Sequence, residues 1–357
     1  MSIKILAINP GSTSTKIALF NDEELLFEKS ISHDKTELAQ YKEIADQFDF
    51  RKKVIVSALE EWEVSLSDIN VVVGRGGMVK PIESGVYEIN DALVHDLKVG
   101  VSGKHASNLG GIIARSLAEG CENAKSYIAD PVVVDELSDI ARVSGCKEMP
   151  RKSIFHALNQ KAVARDYAEK IGKPYEELNL IVAHMGGGVS VGAHYEGKVV
   201  DVNNALSGDG PFSPERSGTL IAADILEMAF SKKYTYEQLY SMVVGKGGFI
   251  SLLGTSNVKS IVDKALEGCK YEKLVIDSFA YNVAKSIAAM SAVFCGKVDA
   301  IILTGGIAYS DYICSAIISR VSHLAKIEVF AGEDEMHSLA HNGLLAYNGD
   351  VEIKVYN

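Results

Sequence analysis

The chain is short of cysteine, short of positive charge and free of long hydrophobic runs, and each shortage removes a class of protein. Its five cysteines, Cys121, Cys146, Cys269, Cys295 and Cys314, are odd in number and none lies in a C-x-x-C pair. Reduced thiols are therefore expected, in a fold that needs no disulfide framework. Lysine and arginine number 36 against 47 aspartates and glutamates, a net charge of −11. No segment concentrates the basic residues, which excludes a nucleic-acid footprint, so any anionic ligand must be held by local groups. The longest apolar helical stretch, Ser286 to Gly296, falls short of a membrane span. The apolar run in MSIKILAINPGS is too short for a signal h-region before it meets Asn9-Pro10-Gly11. The expectation is a cytoplasmic protein without membrane contact.

What is present is ordinary in bulk and patterned in detail. With 357 residues, 47% hydrophobic and 23% charged, the chain can bury large cores and reads as two domains; disorder and fibrous repeats are excluded. Ile3 to Ile8 reads as a strand that breaks at Asn9-Pro10-Gly11 and resumes at Lys16 to Phe20, with Glu24 to Ile31 a third strand. Thr36 to Trp62 has helical character, and Val71-Val72-Val73 is a buried strand opening at Gly74-Arg75-Gly76-Gly77. Asn108 to Leu117 reads as helix and Ser126 to Ala129 as a strand ending at Asp130-Pro131. After a boundary between Asp135 and Pro150, Leu180 to His184 breaks at Gly186-Gly187-Gly188, resumes at Val189 to Ala193 and is followed by Lys198 to Asp201. Strand, polar turn, strand, turn, strand thus occurs near the start of each half, which indicates duplicated domains. Ile276, Phe279, Ala280, Val283, Ile287 and Met290 keep helical spacing, and Ala300 to Leu303 is a strand stopping at Thr304-Gly305-Gly306. Strands alternating with helices give α/β layers.

Three strand-end turns carry the residue types of anion binding. Asn9-Pro10-Gly11-Ser12-Thr13-Ser14-Thr15-Lys16 offers glycine amides, four successive hydroxyls and one lysine, groups that can all reach phosphate oxygens. A plain hairpin turn uses similar residues, and the G-x-x-x-x-G-K spacing of a Walker A loop is absent. His184-Met185-Gly186-Gly187-Gly188 combines a ring donor with backbone open to close approach, although tight strand packing uses glycine equally. Thr304-Gly305-Gly306-Ile307 lies between strand and helix, where amides favour anions or the polar edge of a nucleotide. Arg75, Asp130, His156 and Arg216 each sit beside a strand end or in a breaker-rich loop. Any one alone reads as a solvated surface residue. Two arginines beside glycine turns in an acidic chain read instead as a local clamp for carboxylate and phosphate.

The stretch LAINPGSTSTKIALF resembles the N-terminal signature of the acetate and butyrate kinase (acetokinase) family, N-x-G-S-[ST]-S-x-K. The likeness continues through GRGG, Phe155-His156, AHMGGGVSVGAH, PERSG, ILTGGIA and AGEDEM in the family's order, across nearly the whole chain. The resemblance implies the fold of the acetate and sugar kinases, Hsp70 and actin: two duplicated, ribonuclease H-like α/β domains with nucleotide in the cleft. The expected domains are residues 1–145 with a C-terminal return at 338–357, on the carboxylate and metal side, and residues 146–337, on the nucleotide side. ATP/ADP, Mg²⁺, a short-chain carboxylate substrate and a homodimer or higher homo-oligomer follow as expectations.

Carried over by residue, the resemblance makes Asn9 a Mg²⁺-site residue and puts Ser12, Ser14 and Lys16 on the phosphate side. Arg75 and Arg216 resemble the two catalytic arginines, Asp130 the aspartate that positions metal-linked water or substrate, and His156 the histidine on the transferring phosphoryl group. His184 with Gly186 and Gly188 resembles a nucleotide-phosphate loop, and Gly305 and Gly306 the adenosine side. The metal-site glutamate can be registered on Glu333, Asp334 or Glu335, of which Glu335 is taken. Acetate members read H-R-V-V-H-G-G, whereas Gly76-Gly77 follow Arg75 directly, so part of the small-acid pocket wall is expected to be missing. H-L-G-N-G becomes His184-Met185-Gly186-Gly187-Gly188, and the aspartate after R-S-G becomes Thr219. These departures point to the butyrate kinase branch, ahead of acetate, propionate or branched-chain acids. The competing class is an ATP-dependent switch of the actin or Hsp70 kind, which has no need of the Arg75, Asp130, His156 and Arg216 set.

Overall fold

The computed structural model describes residues 2–121 and 123–357. The chain divides into two compact units, Met1–Val134 with Asp334–Asn357, and Asp135–Glu333. The junctions fall at 134/135 and 333/334, against 145/146 and 337/338 from the sequence.

In the first unit, strands β1 (Lys4–Pro10), β2 (Ser14–Asn21), β3 (Glu24–Ser32), β4 (Val71–Arg75), β5 (Val86–Glu88), β6 (Lys125–Ala129) and β12 (Ile353–Val355) form one sheet. Its order is β12-β5-β6-β4-β1-β2-β3. Ile5 to Ile8 and Val71 to Val73 are all fully buried, because helices cover both faces of these central strands and leave no position for a polar side chain. On one face the helix Asn108–Ala118 comes so close that a β-carbon on Gly74 would stand 2.2 Å from the Gly110 carbonyl oxygen. On the other lies the helix Glu335–Asn348, whose Gly343 meets Val73 and Ile5.

In the second unit, β7 (Leu180–Met185), β8 (Val189–Tyr195), β9 (Lys198–Val202), β10 (Ala300–Gly305) and β11 (Lys326–Ala331) take the order β11-β10-β7-β8-β9. Alternation splits these strands between two helices. Ile181, Ala183, Val189, Val191, Ala193, Ile301 and Leu303 pack with Ile276, Phe279, Val283 and Ile287 of the helix Lys270–Met290. Leu180, Val182, Ala300 and Ile302 pack with Val163, Ala164 and Tyr167 of the helix Ala157–Ile171.

The duplication is explicit in the ladders. β6-β4-β1-β2-β3 and β11-β10-β7-β8-β9 each have two parallel pairs followed by two antiparallel pairs. Even the register shift in the last ladder recurs, between Leu19 and Phe20 and between Ala193 and His194. The helical pattern of Thr36 to Trp62 resolves into Lys35–Leu38, a 3-10 turn Ile44–Gln47 and the helix Phe48–Glu61. The interruption has a local cause, since Glu43 and Asp46 cap a new turn reciprocally. All five cysteines are free thiols, and among the described residues no helix is long and apolar enough to cross a membrane.

Candidate active site

Strand alternation assembles a cluster at one sheet end of the first unit. Ile5 and Val73 meet the helix Glu335–Asn348, so Asn9 and Arg75, at even offsets along the same strands, face the same helix. Arg75 Nη2 lies 3.0 Å from Glu335 Oε1 and its Nη1 donates to Glu335 Oε2 at 3.1 Å and to Asn9 Oδ1 at 3.2 Å. Asn9 Nδ2 closes the triangle on Glu335 Oε2. Glu335 sits in the first turn of its helix, where the dipole favours a carboxylate. The other two acidic candidates are engaged elsewhere: Asp334 caps this helix by accepting from the His337 amide, and Glu333 belongs to the second unit.

Asp130 follows Ala129, which is opposite Arg75 in the β4–β6 ladder. It is 2% exposed and adopts left-handed backbone, φ 37°, which costs an L-residue about 1–2 kcal/mol and is tolerated best by Asn and Asp. Its Oδ1 accepts from Ser84 Oγ at 2.6 Å and the Gly85 amide at 2.8 Å.

The hydroxyl turn divides by direction. Ser12 and Thr13 are exposed and Ser14 half-buried, while Thr15 is wholly buried. Lys16 is opposite Asn9 in the β1–β2 ladder, with its ammonium 3.1 Å from Glu28 Oε2. What lies beneath the turn carries no sequence motif. Arg51, 0% exposed, donates to the carbonyls of Gly11, Ser12 and Ser14, to Thr15 Oγ1 and to Gln47 Oε1. Burial pulls Arg51 down to about 10, still protonated at neutral pH, and none of these partners is a carboxylate. His33, 2.8 Å from Thr15 Oγ1, is lowered to about 4 by burial and by the Arg51 charge.

One expectation is corrected here. Gly76 and Gly77 do not open a pocket wall: a β-carbon on Gly76 would stand 2.5 Å from Pro131 Cβ, and one on Gly77 would stand 2.5 Å from Asn108 Cα. Both glycines are required by packing, and acid length cannot be read from them.

In the second unit the same alternation puts His184, Ser190 and His194 on the face covered by the helix Ala157–Ile171, with His156 at that helix's N-cap. The rings of His156 and His184 stack, centroids 3.9 Å apart at 16°. His184 Nδ1 lies 2.7 Å from Asn159 Oδ1 and its Nε2 lies 3.1 Å from Glu333 Oε1. A β-carbon on Gly188 would stand 1.9 Å from Arg216 Nη1 and 3.3 Å from His156 Cε1, so the missing side chain is what lets the guanidinium lie against the glycine turn beside His156. Arg216 is steadied by the Ala205 carbonyl, at 2.6 Å. The Gly186 amide is bonded to the Gly188 carbonyl and the Gly305 amide to the Gly332 carbonyl. Gly306 has open space where a side chain would stand.

Two sets therefore exist, Asn9, Arg75 and Glu335 in one unit and His156, His184, Gly186, Gly188 and Arg216 in the other. Among the described residues no group of three or more His, Cys, Asp or Glu side chains could hold a metal ion. Asn9 and Glu335 offer one amide and one carboxylate as hard oxygen donors, a pair that fits Mg²⁺ completing its shell with water and phosphate oxygens, not a closed protein cage.

The two-unit α/β fold is the one seen in carboxylate kinases of known structure. Porphyromonas gingivalis acetate kinase superposes over 97% of this chain and 100% of its own with TM-score 0.78 at 18% identity. Francisella tularensis propionate kinase does so over 95% and 98% with TM-score 0.75 at 20% identity. The acetokinase family matches residues 145–342. Butyrate kinase 1 of Clostridium acetobutylicum is 54% identical over 353 residues, 99% of both chains, and a probable butyrate kinase of Clostridium botulinum is 53% identical over 356 residues, 100% of both. The chain belongs to the acetokinase family.

Proposed function

We propose that the protein transfers the γ-phosphoryl group of ATP to butyrate, reversibly giving butanoyl phosphate and ADP by direct in-line transfer. The observation that carries this reading is the guanidinium of Arg75, which grips a carboxylate through two nitrogens and is thus built as a carboxylate receptor. The full-length likeness to butyrate kinases supports the choice of acid.

The chemistry suits the residue types. A carboxylic acid is already ionised at neutral pH, so attack on phosphorus needs no general base. The task is to bring two anions together and stabilise charge on the moving phosphoryl oxygens. Arg75 holds the acid, while Arg216 and His156 donate to the oxygens in transfer. His184, with the turn Gly186 to Gly188, serves the nucleotide phosphates together with Ser12, Ser14 and Lys16, and Gly305 and Gly306 serve the adenosine. Asp130 positions substrate by holding the Ser84–Gly85 turn at the strand end beside Arg75. Asn9 and Glu335 would hold Mg²⁺, which when bound neutralises phosphate charge. The reading includes a cytoplasmic location and assembly from identical chains.

A hydroxylamine trap for acyl phosphate, run with ATP, Mg²⁺ and a panel of short acids, tests the proposal. The greatest kcat/KM is expected for butyrate. One methylene is worth only about 1–3 kcal/mol, so a preference for acetate, propionate or a branched acid would replace the acid and keep the reaction. No acyl phosphate with any acid would favour the ATP-dependent switch.

A further inference from the structure

Gln160, Ser190 and His194 are all 0% exposed, so their polar hydrogens and lone pairs must be matched inside the protein. One backbone group fixes the direction of the whole series. Gln160 Nε2 lies 3.1 Å from the Ser190 carbonyl oxygen, which can only accept, so this end of the amide is the NH₂ group. The other end, Oε1, is 3.0 Å from His194 Nε2, which must therefore donate. Burial holds His194 well below the usual imidazole range. Its Nδ1 is then an acceptor, filled by the Tyr175 hydroxyl at 2.6 Å.

At the opposite end the second amide hydrogen of Gln160 reaches Ser190 Oγ at 2.7 Å, and the His156 backbone amide points at the same oxygen from 3.5 Å. Both lone pairs of Oγ are thus addressed by donors. Its own hydrogen needs an acceptor, and among the described residues the acceptor in reach is His156 Nδ1, at 2.8 Å. We propose that Ser190 donates to His156 Nδ1 and holds that ring as the neutral Nε2–H tautomer, which makes Ser190 and Gln160 positioning residues for His156.

Two neighbours agree. A β-carbon on Gly192 would stand 2.5 Å from Gln160 Oε1, so this strand position leaves room for the amide. His184, whose ring stacks on His156, is itself held in place by Asn159 Oδ1 at Nδ1 and Glu333 Oε1 at Nε2, so the His156 ring lies against a fixed face. With the hydrogen on Nε2, His156 presents a donor to a phosphoryl oxygen; the other tautomer would oppose a lone pair to an anion. The hydrogen's position rests on the hydrogen bonds alone, and its consequence for turnover rests on the kinase reading above.

Nitrogen NMR of the full chain labelled with ¹⁵N-histidine, with His156 assigned from its loss in His156→Gln, reads the tautomer without nucleotide or acid. The wild type is expected to carry hydrogen on Nε2 and none on Nδ1. In Gln160→Glu, whose carboxylate cannot donate to Ser190, hydrogen is expected to move to Nδ1. Ser190→Ala is expected to lower kcat about 10- to 100-fold, the scale for loss of a partner that orients a working imidazole, with KM for the acid unchanged. Hydrogen on Nδ1 in the wild type would overturn the proposal, even if neither variant folds. An unmoved tautomer and unmoved kcat in both variants would overturn the positioning role. The expected tautomer in a protein that makes no acyl phosphate would uphold the proton placement and sink the kinase reading.

Discussion

Arg75 and Glu335 form a two-toothed ion pair, Nη2 to Oε1 at 3.0 Å and Nη1 to Oε2 at 3.1 Å. The chain's own carboxylate thus takes the geometry that an acceptor acid would need. The same guanidinium cannot present those two nitrogens to both. In Glu335→Gln, calorimetry without nucleotide or metal is expected to show butyrate binding about tenfold tighter, since a weaker hydrogen-bonded competitor replaces a charged one. Turnover is expected to fall about 10²-fold, as Mg²⁺ would lose the charged oxygen ligand that helps hold it against the phosphates. Unchanged acid binding in the variant would refute the competition.

Removal of either arginine is expected to separate activity from folding. Arg75→Ala and Arg216→Ala should each lose about 10²-fold or more in kcat/KM, the scale of one transition-state donor, while retaining the wild-type circular dichroism spectrum. Near-normal turnover in either would sink its assigned role.

Gly188 makes a sharper case. An alanine methyl there would strike Arg216 Nη1 at 1.9 Å, but that atom ends a flexible side chain and can swing away at little energetic cost. Although the position is buried, Gly188→Ala is therefore expected to cost no more than about 1 kcal/mol, the scale of an ordinary point change, yet to lose activity as severely as Arg216→Ala. Parallel urea titrations and trap assays would check this, and a variant that is both stable and active would refute it.

Arg51 is expected to matter first for stability. Arg51→Met would leave the buried Gln47 Oε1 and the part-buried carbonyls of Gly11, Ser12 and Ser14 without their donor, at a cost of about 2–4 kcal/mol on the scale of unsatisfied buried groups. Equilibrium urea unfolding measures it. A loss of a few tenths would show that the turn stands without its arginine.

Acid should destabilise the protein through buried imidazoles. His33 falls from 6.5 to about 4, and His194 is lowered in the same direction. Each is neutral when folded and takes a proton more readily when unfolded. Their contribution is full above the ordinary imidazole range and is lost as pH falls through it, for His33 down to about 4, because the unfolded chain binds more protons there. Urea midpoints across that range should decline, and less steeply in His33→Gln. An identical slope in that variant would remove His33 from the account.

Much of the fold was legible because burial on both faces leaves a simple mark. Val71-Val72-Val73 and Leu180 to Ala183 can be apolar throughout only where helices cover both sides, and the strand-turn-strand repeat announced the duplication. β5, β11 and β12 were not read, being short or half-exposed strands near the sheet edges with no comparable run. Site residues at strand ends were visible through their glycine-rich contexts and the family resemblance. Arg51 was not, because an arginine 40 residues from the turn it holds looks like any other arginine on a helix. Gly76-Gly77 misled for a related reason: sequence shows a side chain to be absent, and only packing shows whether space or a neighbour takes its place. Ser190 lay inside a quoted motif, but the sense of its hydrogen bond depends on an amide thirty residues earlier.

The first unit is discontinuous, closed only when Asp334–Asn357 joins residues from the start of the chain. Translation runs from the N-terminus, so the ribosome must finish the whole of Asp135–Glu333 before it makes Glu335. Until then β1 and β4 lack the helix that covers one of their faces, and Arg75 lacks its carboxylate. A chain abandoned late in synthesis would carry nearly every residue of both sets and still have an uncovered sheet, marking it for quality control before it could work as an enzyme.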